Sequence, residues 1–456
     1  MAFGSVFISI ILHPLIDNPM MKTLYPLLIL ITIIGCSRPV ETSVEPEATD
    51  EFVFGDLLPD SPELAARGDY SVGVQTTSVT NKDQADILNR ANGSTPSYDR
   101  TLKLEIWYPA IIPDGSVELE WYSSVMGNHG DTLRPVSPFQ FRGRCLRDAQ
   151  PDRSKAAYPL IILSHGYTGT RLLFTYLAEN LASKGYVVVS IHHTESTYED
   201  AAAFSSTLLN RSLDQLFVLN EIARLSEENS GNFLAGLVDA NNTGLVGYSM
   251  GGYGALNTMG AGYSQGAVQY FQGITEGGNE LRSRTTASED YAKSVDNRIK
   301  AVVAFAPWGM NHGVWDKDGL LGLKTPTLFV AGSKDDISGY ENGIKAIFDG
   351  ALNADRYLLT YVNARHNVAP NPPPSESYAP GLHIDEYLRY ADSVWDMRKI
   401  NNINQHFVTA FFGIYLQKKE FEQYLDLSVE ADNSWFGFKP RAAVGLELRH
   451  ETPSSD

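Results

Sequence analysis

The sequence predicts an α/β domain with a mostly parallel central sheet and helices on both faces. Three observations predict it. Short, near-continuous apolar runs recur along the chain, as strands buried on both faces require. Helical segments separate most of these runs, the alternation that builds parallel sheets. One run leads directly into a glycine-flanked serine turn and then into small residues that suit a helix. The bulk composition agrees: 456 residues, 43% hydrophobic and 20% charged, is ordinary for a globular enzyme-sized chain.

Taken in order, residues 1–36 form a leader. Met21-Lys22 precedes the apolar run Leu24 to Ile34, and Gly35-Cys36-Ser37 follows. A basic residue, a short apolar run and a small residue make a secretory signal. The run is shorter than the ~20 residues that span a bilayer. Residues 1–20 precede a Met-Met pair and fit a start-site artefact better than a signal. Residues 37–65 are rich in Glu, Asp, Pro and Ser and are expected to be a disordered tether. The catalytic domain is expected over 66–425, and a tail over 426–456.

Within the domain, Ser71 to Val79 and Leu102 to Tyr108 alternate as antiparallel edge strands do. Gly115 to Lys155 is irregular and is expected to be a surface insertion. The buried-strand runs are Pro159–Leu163, Tyr186–Ile191, Thr243–Gly247, Ile299–Phe305, Pro326–Ala331 and Arg356–Val362. Helices are expected over Leu172 to Lys184, Ser212 to Ser226 and about Asn402 to Lys418. Further insertions, expected to border the pocket, cover about 267–298 and 371–400. The chain shows no internal repeat, no Gly-rich phosphate loop and no Cys/His cluster with metal spacing, so no cofactor and no metal is expected. A net charge of −18 argues against nucleic acid and against a polybasic membrane patch. Cys36 and Cys145 are the only cysteines, and Cys145 is expected to be a packed or surface thiol.

The chemistry centres on Thr243-Gly-Leu-Val-Gly-Tyr-Ser249-Met-Gly-Gly-Tyr-Gly254. A strand entering a tight Gly-x-Ser-x-Gly turn lifts the serine hydroxyl above the sheet. Ser249 is therefore the candidate nucleophile. Gly262-Tyr-Ser264-Gln-Gly266 also matches the pattern, but no strand precedes it. A serine nucleophile needs a histidine base, an acid that orients the base, and donors for the oxyanion. Asp335 and Asp336 follow the run that ends at Ala331, and Asp335 is favoured for its register in the turn. His366 alone of ten histidines follows both the acid and a strand end. Oxyanion donors are expected from the Met250 amide, directly after the nucleophile, and from the Tyr167 amide in Ser164-His-Gly-Tyr-Thr-Gly169. His165, His192 and His193 are expected to be structural.

With these motifs placed, the chain resembles the α/β-hydrolase superfamily and two of its branches. One is the platelet-activating-factor acetylhydrolase and dienelactone-hydrolase-like group, through Ile106-Trp-Tyr-Pro109, Leu163-Ser-His-Gly-Tyr167, Leu181 to Tyr186 and Asn210 to Asp214. The other is the bacterial cutinase and polyester-hydrolase group, through Gly166-Tyr-Thr-Gly169, Gly247 to Gly252, Ala306-Pro-Trp308, Asp335-Asp-Ile337 and His366 to Asn371. The resemblance implies a serine carboxylic-ester hydrolase acting through an acyl-enzyme on small or lipid-like acyl esters. A cutinase-like polyester hydrolase, a serine peptidase or amidase, and a non-catalytic surface module are the alternatives. It also implies that Tyr167, Met250 and Trp308 line the acyl site. The Gly35-Cys36 junction resembles a bacterial lipobox, which implies lipidation of Cys36 and a membrane-anchored place in the cell envelope, or else secretion. Ile33-Ile34 departs from that pattern. The acyl and alcohol groups and the oligomeric state stay open.

Overall fold

The computed structural model describes residues 52–291, 295–431 and 435–454. The leader, Cys36 and the first part of the expected tether lie outside them.

Strands β1 (Ser71–Ala85) and β2 (Ser97–Ile111) form a long antiparallel pair, with Val74 opposite Trp107. Strands β3 (Glu120–Met126) and β4 (Ser137–Gly143) make a separate two-stranded sheet, and the short β5 (Leu146–Arg147) and β6 (Gln150–Pro151) return to the main one. The region expected to be irregular is thus an ordered hairpin. Its alternating side chains are buried by packing: Tyr122, Phe139 and Phe141 join the main core. The buried Glu179 fixes it by accepting from the Tyr122 hydroxyl at 2.8 Å and from the Arg144 amide at 2.8 Å.

The parallel core comprises β7 (Tyr158–Ser164), β8 (Val187–His192), β9 (Val238–Tyr248), β10 (Ile299–Phe305), β11 (Thr327–Gly332) and β12 (Arg356–Tyr361). Sheet order is β13-β12-β11-β10-β9-β7-β8-β2-β1-β5, where β13 (Leu446–Glu451) pairs antiparallel with β12. The expected tail therefore supplies an edge strand of the sheet. Helices α1 (Thr175–Ser183), α2 (Phe204–Leu225), α3 (Met250–Thr258), α4 (Gln265–Ile274), α5 (Lys317–Leu320), α6 (Lys345–Gly350), α7 (Asp385–Leu388) and α8 (Met397–Gln417) complete the chain. Apolar strand residues such as Ile161, Val189, Leu245, Val303, Leu328 and Leu358 are fully buried. Each such side chain contributes roughly 1.5–3 kcal/mol by leaving water. Among the described residues no helix is long and apolar enough to cross a membrane.

The second half of the expected tether is not loose. Val53 and Ala65 are buried, and polar side chains of α1 and α8 take up the segment's backbone groups. Leu58 N–H donates to Asn402 Oδ1 at 2.9 Å and Leu64 N–H to His406 Nδ1 at 3.1 Å. Asn180 Nδ2 donates to Ala65 O at 2.9 Å, and Lys184 Nζ to Leu64 O at 2.6 Å. Burial pushes the Lys184 ammonium well below its ordinary pKa. The segment's own composition signals disorder; its partners more than 100 residues away order it.

Candidate active site

Strand β9 lies between β7 and β10, in the middle of the sheet. Its end turns sharply at Ser249, which has φ 53° and ψ −114° and opens α3. The glycines permit this turn because no side chain fits. A Cβ on Gly247 would lie 2.2 Å from Gly251 O, and one on Gly251 would lie 1.9 Å from Ser164 O. Ser249 N–H donates to Phe305 O at 2.9 Å, tying the turn to β10.

The structure brings the three sequence-predicted groups together. His366 Nε2 is 3.0 Å from Ser249 Oγ, and His366 Nδ1 is 2.8 Å from Asp335 Oδ2. Asp335 leaves the end of β11 and His366 follows β12, so three strand ends supply the set. The other oxygen of Asp335 accepts the Ile337 and Ser338 amides at 2.9 and 2.8 Å. These bonds orient the carboxylate. An ionised, acceptor-only Asp335 requires a proton on Nδ1, which leaves Nε2 free to accept from Ser249. Asp336 points away and pairs with Arg365, and that hydrogen bond lowers its pKa. The His366 ring packs on Tyr248, whose hydroxyl donates to Asn367 Oδ1 at 2.8 Å.

Met250 is the first residue of α3, so no carbonyl within the helix can take its amide proton. Tyr167 lies in the loop after β7, and Gly166 faces Ser249 closely enough that a Cβ would lie 3.2 Å from the serine Cβ. Both amides belong to the turns that border the serine hydroxyl. The Met250 side chain is 2% exposed. Ser264 caps α4: its Oγ accepts the Ala267 amide at 3.0 Å and donates to Gly313 O at 2.6 Å.

A second relay lies beneath these turns. Ser164 Oγ is 2.8 Å from His193 Nε2, and His193 Nδ1 is 2.8 Å from Asp214 Oδ2. Arg100 Nε closes it on Asp214 Oδ1 at 2.8 Å. Burial alone would raise the Asp214 pKa, but Arg100 and His193 hold it at about 2. Burial and the nearby Arg211 cation push His193 down to about 3, so the ring is neutral. Gln215 Nε2 links this network to the nucleophile turn by donating to Ser164 Oγ at 2.9 Å and to Gly251 O at 3.1 Å. Arg211 Nη1 donates to His165 O at 2.8 Å and steadies the loop after β7. His165 itself accepts the His193 amide at Nε2, so its Nδ1 donates to Gly166 O. The relay is sealed from solvent and braces both turns. Cys145 is buried, with its thiol 2.9 Å from the Tyr122 hydroxyl.

Two cavities lie near the serine turn, one lined by His366 and the other by Trp308. A polar cleft of about 450 Å³ is lined by His366, Tyr167, Asn128, Arg134, Arg365 and Arg389, among others. Two insertions roof it, stitched by the buried Glu386, which accepts the Gly127 amide and Arg134 Nε, both at 2.8 Å. An apolar cavity of about 310 Å³ lies beside Trp308, walled by Phe204, Tyr253, Tyr263, Tyr270 and Leu281. The Trp308 main-chain N–H donates to Ser249 O at 3.1 Å, which ties this residue to the serine turn. Phe204 joins the two sides, with its ring 5.4 Å from Tyr167 and 5.3 Å from Trp308. Sequence reasoning missed Phe204, Glu386 and Arg389. They carry no local motif and acquire their place through long-range packing. Among the described residues no cluster of three or more His, Cys, Asp or Glu side chains could hold a metal ion.

The chain has an α/β-hydrolase fold with a serine turn at the end of its central strand. Residues 148–268, which hold Ser249, Met250 and the Tyr167 loop, match a family model described as PET hydrolase-like. The chain is 31% identical over 220 residues to cutinase est2 of Thermobifida alba, covering 48% of this chain and 56% of that protein. It is 30% identical over 221 residues to cutinase 2 of Thermobifida cellulosilytica, covering 48% of this chain and 64% of that one. The chain thus spans less than two thirds of the length of these relatives. A ferulic acid esterase structure from Streptomyces cinnamoneus shares the fold with a TM-score of 0.52 at 20% identity, over 79% of this chain and 94% of that one. The family-model and cutinase similarities favour the cutinase and polyester-hydrolase alternative over the acetylhydrolase-like reading.

Proposed function

We propose that this chain is a serine carboxylic-ester hydrolase of the cutinase-like kind, with an aromatic acyl group as its preferred acid component. The observation that carries the reading is the continuous Ser249–His366–Asp335 chain of 3.0 and 2.8 Å contacts beside two oxyanion turns. Ser249 attacks the ester carbonyl while His366 takes its proton, and Asp335 stabilises the imidazolium. The Tyr167 and Met250 amides receive the oxyanion. His366 then protonates the departing alcohol, and water releases the acid by the same route. The Tyr167–Phe204–Trp308 wall supports an aromatic acyl group, because edge-to-face contacts add about 0.5–1.5 kcal/mol per pair beyond area.

A fluorophosphonate probe should label Ser249 in the wild type and leave Ser249→Ala unlabelled. Nitrophenyl esters of acetic, hexanoic and benzoic acid then rank the acyl groups. Benzoate below acetate would remove the aromatic preference. Polyester hydrolysis is the second reading, supported by the PET hydrolase-like match, and release of soluble acid from a polyester film tests it.

We also propose that Cys36 carries lipid and holds the enzyme at a bacterial membrane surface. The support is the Gly35-Cys36 junction behind a short apolar run. Two or more acyl chains, at about 0.8 kcal/mol per buried methylene, give a stable anchor. Mass spectrometry of the mature N-terminus decides it; an unmodified terminus downstream of Cys36 refutes it.

A further inference from the structure

The polar cleft does not end at His366. Ala391 and Asp392 line both it and a neighbouring groove of about 510 Å³, whose other walls include Phe52, Tyr378, Tyr387 and Arg398. The direction of the chemistry assigns this path. A histidine that protonates the leaving alcohol must have the alcohol on its own side. The cleft, which His366 itself lines, therefore receives the alcohol half of the ester.

The lining then selects the kind of alcohol. Near His366 it is rich in hydrogen-bonding groups, including Asn128, Arg134 and Arg389. Farther out it changes to exposed aromatic faces beside a paired acid and guanidinium. Tyr378 is 63% exposed and meets Tyr387 edge-on at 5.2 Å, and Phe52 is 38% exposed. Asp396 and Arg398 are bonded at 2.6 Å, each with 45% of its side chain exposed. An apolar alcohol would take this exposed ion pair out of water and return nothing for its lost hydration, which is unfavourable. A small polar alcohol would leave the outer aromatics unused. A sugar satisfies both demands: its C–H face lies on an aromatic ring, and its hydroxyl edge bonds to carboxylate and guanidinium.

We propose that the cleft and groove form a carbohydrate-binding path, so that the ester substrate is an acylated oligosaccharide. This rests on the ester-hydrolase reading and names its alcohol. The test compares the benzoyl esters of methanol and of cellotriose, using wild-type enzyme, Tyr378→Ala and Arg398→Ala. The expected kcat/KM for the cellotriose ester exceeds that for the methyl ester by roughly tenfold or more. Each variant should lose roughly threefold to tenfold on the cellotriose ester and nothing on the methyl ester. Equal wild-type turnover of the two esters overturns the proposal, as does equal loss on both substrates. Tyr378→Ala that slows polyester-film hydrolysis while sparing the cellotriose ester overturns it in favour of a polymer path. Labelling of Ser249 by a fluorophosphonate separates the layers: labelling with no sugar preference sinks the carbohydrate path alone, and no labelling with no turnover sinks both.

Discussion

Asp335→Asn tests the site most sharply, because the structure dictates what the asparagine must do. Asp335 uses one oxygen for His366 and the other for the Ile337 and Ser338 amides. An asparagine keeping its oxygen on the two amides must aim its NH₂ at His366 Nδ1. That holds the ring with its proton on Nε2, where it cannot accept from Ser249. The opposite flip would set the NH₂ against two N–H groups and forfeit both bonds, at roughly 2–3 kcal/mol. The wrong tautomer is therefore locked in, and turnover should fall by up to about 10⁴, equivalent to about 5 kcal/mol of barrier. Asp336→Asn breaks only the exposed pair with Arg365, worth about 0–1 kcal/mol, so its activity should stay within roughly fivefold of wild type. Steady-state kcat on nitrophenyl benzoate reads both variants, and thermal unfolding verifies that each is folded. A crippled Asp336→Asn, or an Asp335→Asn within tenfold of wild type, refutes the reasoning.

Ser264→Ala should retain esterase activity while losing about 1 kcal/mol of stability, since Ser264 is a helix cap; chemical unfolding and turnover together read this, and loss of turnover alone would contradict it. Trp308→Ala should weaken benzoyl esters roughly threefold to tenfold more than acetyl esters, because two ring contacts at 5.3 and 4.6 Å hold the indole at the apolar cavity; equal losses would make Trp308 scaffold. Burial holds His193 and His406 at about 3, well below the unfolded value of about 6.5. The unfolded chain then binds more protons than the folded one between those pH values, so stability falls as pH drops from about 6.5 towards 3. Urea unfolding at pH 7, 5.5 and 4.5 measures the slope, and His406→Gln should reduce it by about one proton; an unchanged slope excludes His406 from the effect.

Much of the fold was legible because the parallel strands are nearly all apolar. Ile299–Phe305 was located to the residue, and Pro326–Ala331 and Arg356–Val362 each within one. The candidate site was legible from the same signal, since Ser249, Asp335 and His366 all hang from ends of such strands. The parts that were not legible depend on partners far along the chain. Leu446–Glu451 has three charged side chains besides His450 and becomes a strand only because β12 offers a ladder. The hairpin of β3 and β4 needs Glu179 of α1. Residues 52–65 need Asn180, Lys184, Asn402 and His406. Composition reports what a segment can bury by itself, and none of these segments is buried by itself.

The two ends of the main sheet bear on how the molecule avoids its own kind. An unpaired strand edge offers open N–H and C=O groups to any other chain. Here one edge strand is β1, which β5 covers only at Gly73 and Val74, and the other is β13, with the sequence Leu-Glu-Leu-Arg-His-Glu and its outer side part-covered by hydrogen bonds to Val429 and Ala431. β13 is a poor template for fibril-like growth, being short, part-covered and studded with charge. Directly behind β13 runs β12, whose six residues Arg-Tyr-Leu-Leu-Thr-Tyr are all buried. The last strand is thus a gatekeeper. Without it, an apolar, β-prone edge would face solvent next to the loop that carries His366, and the chain would be prone to self-association there.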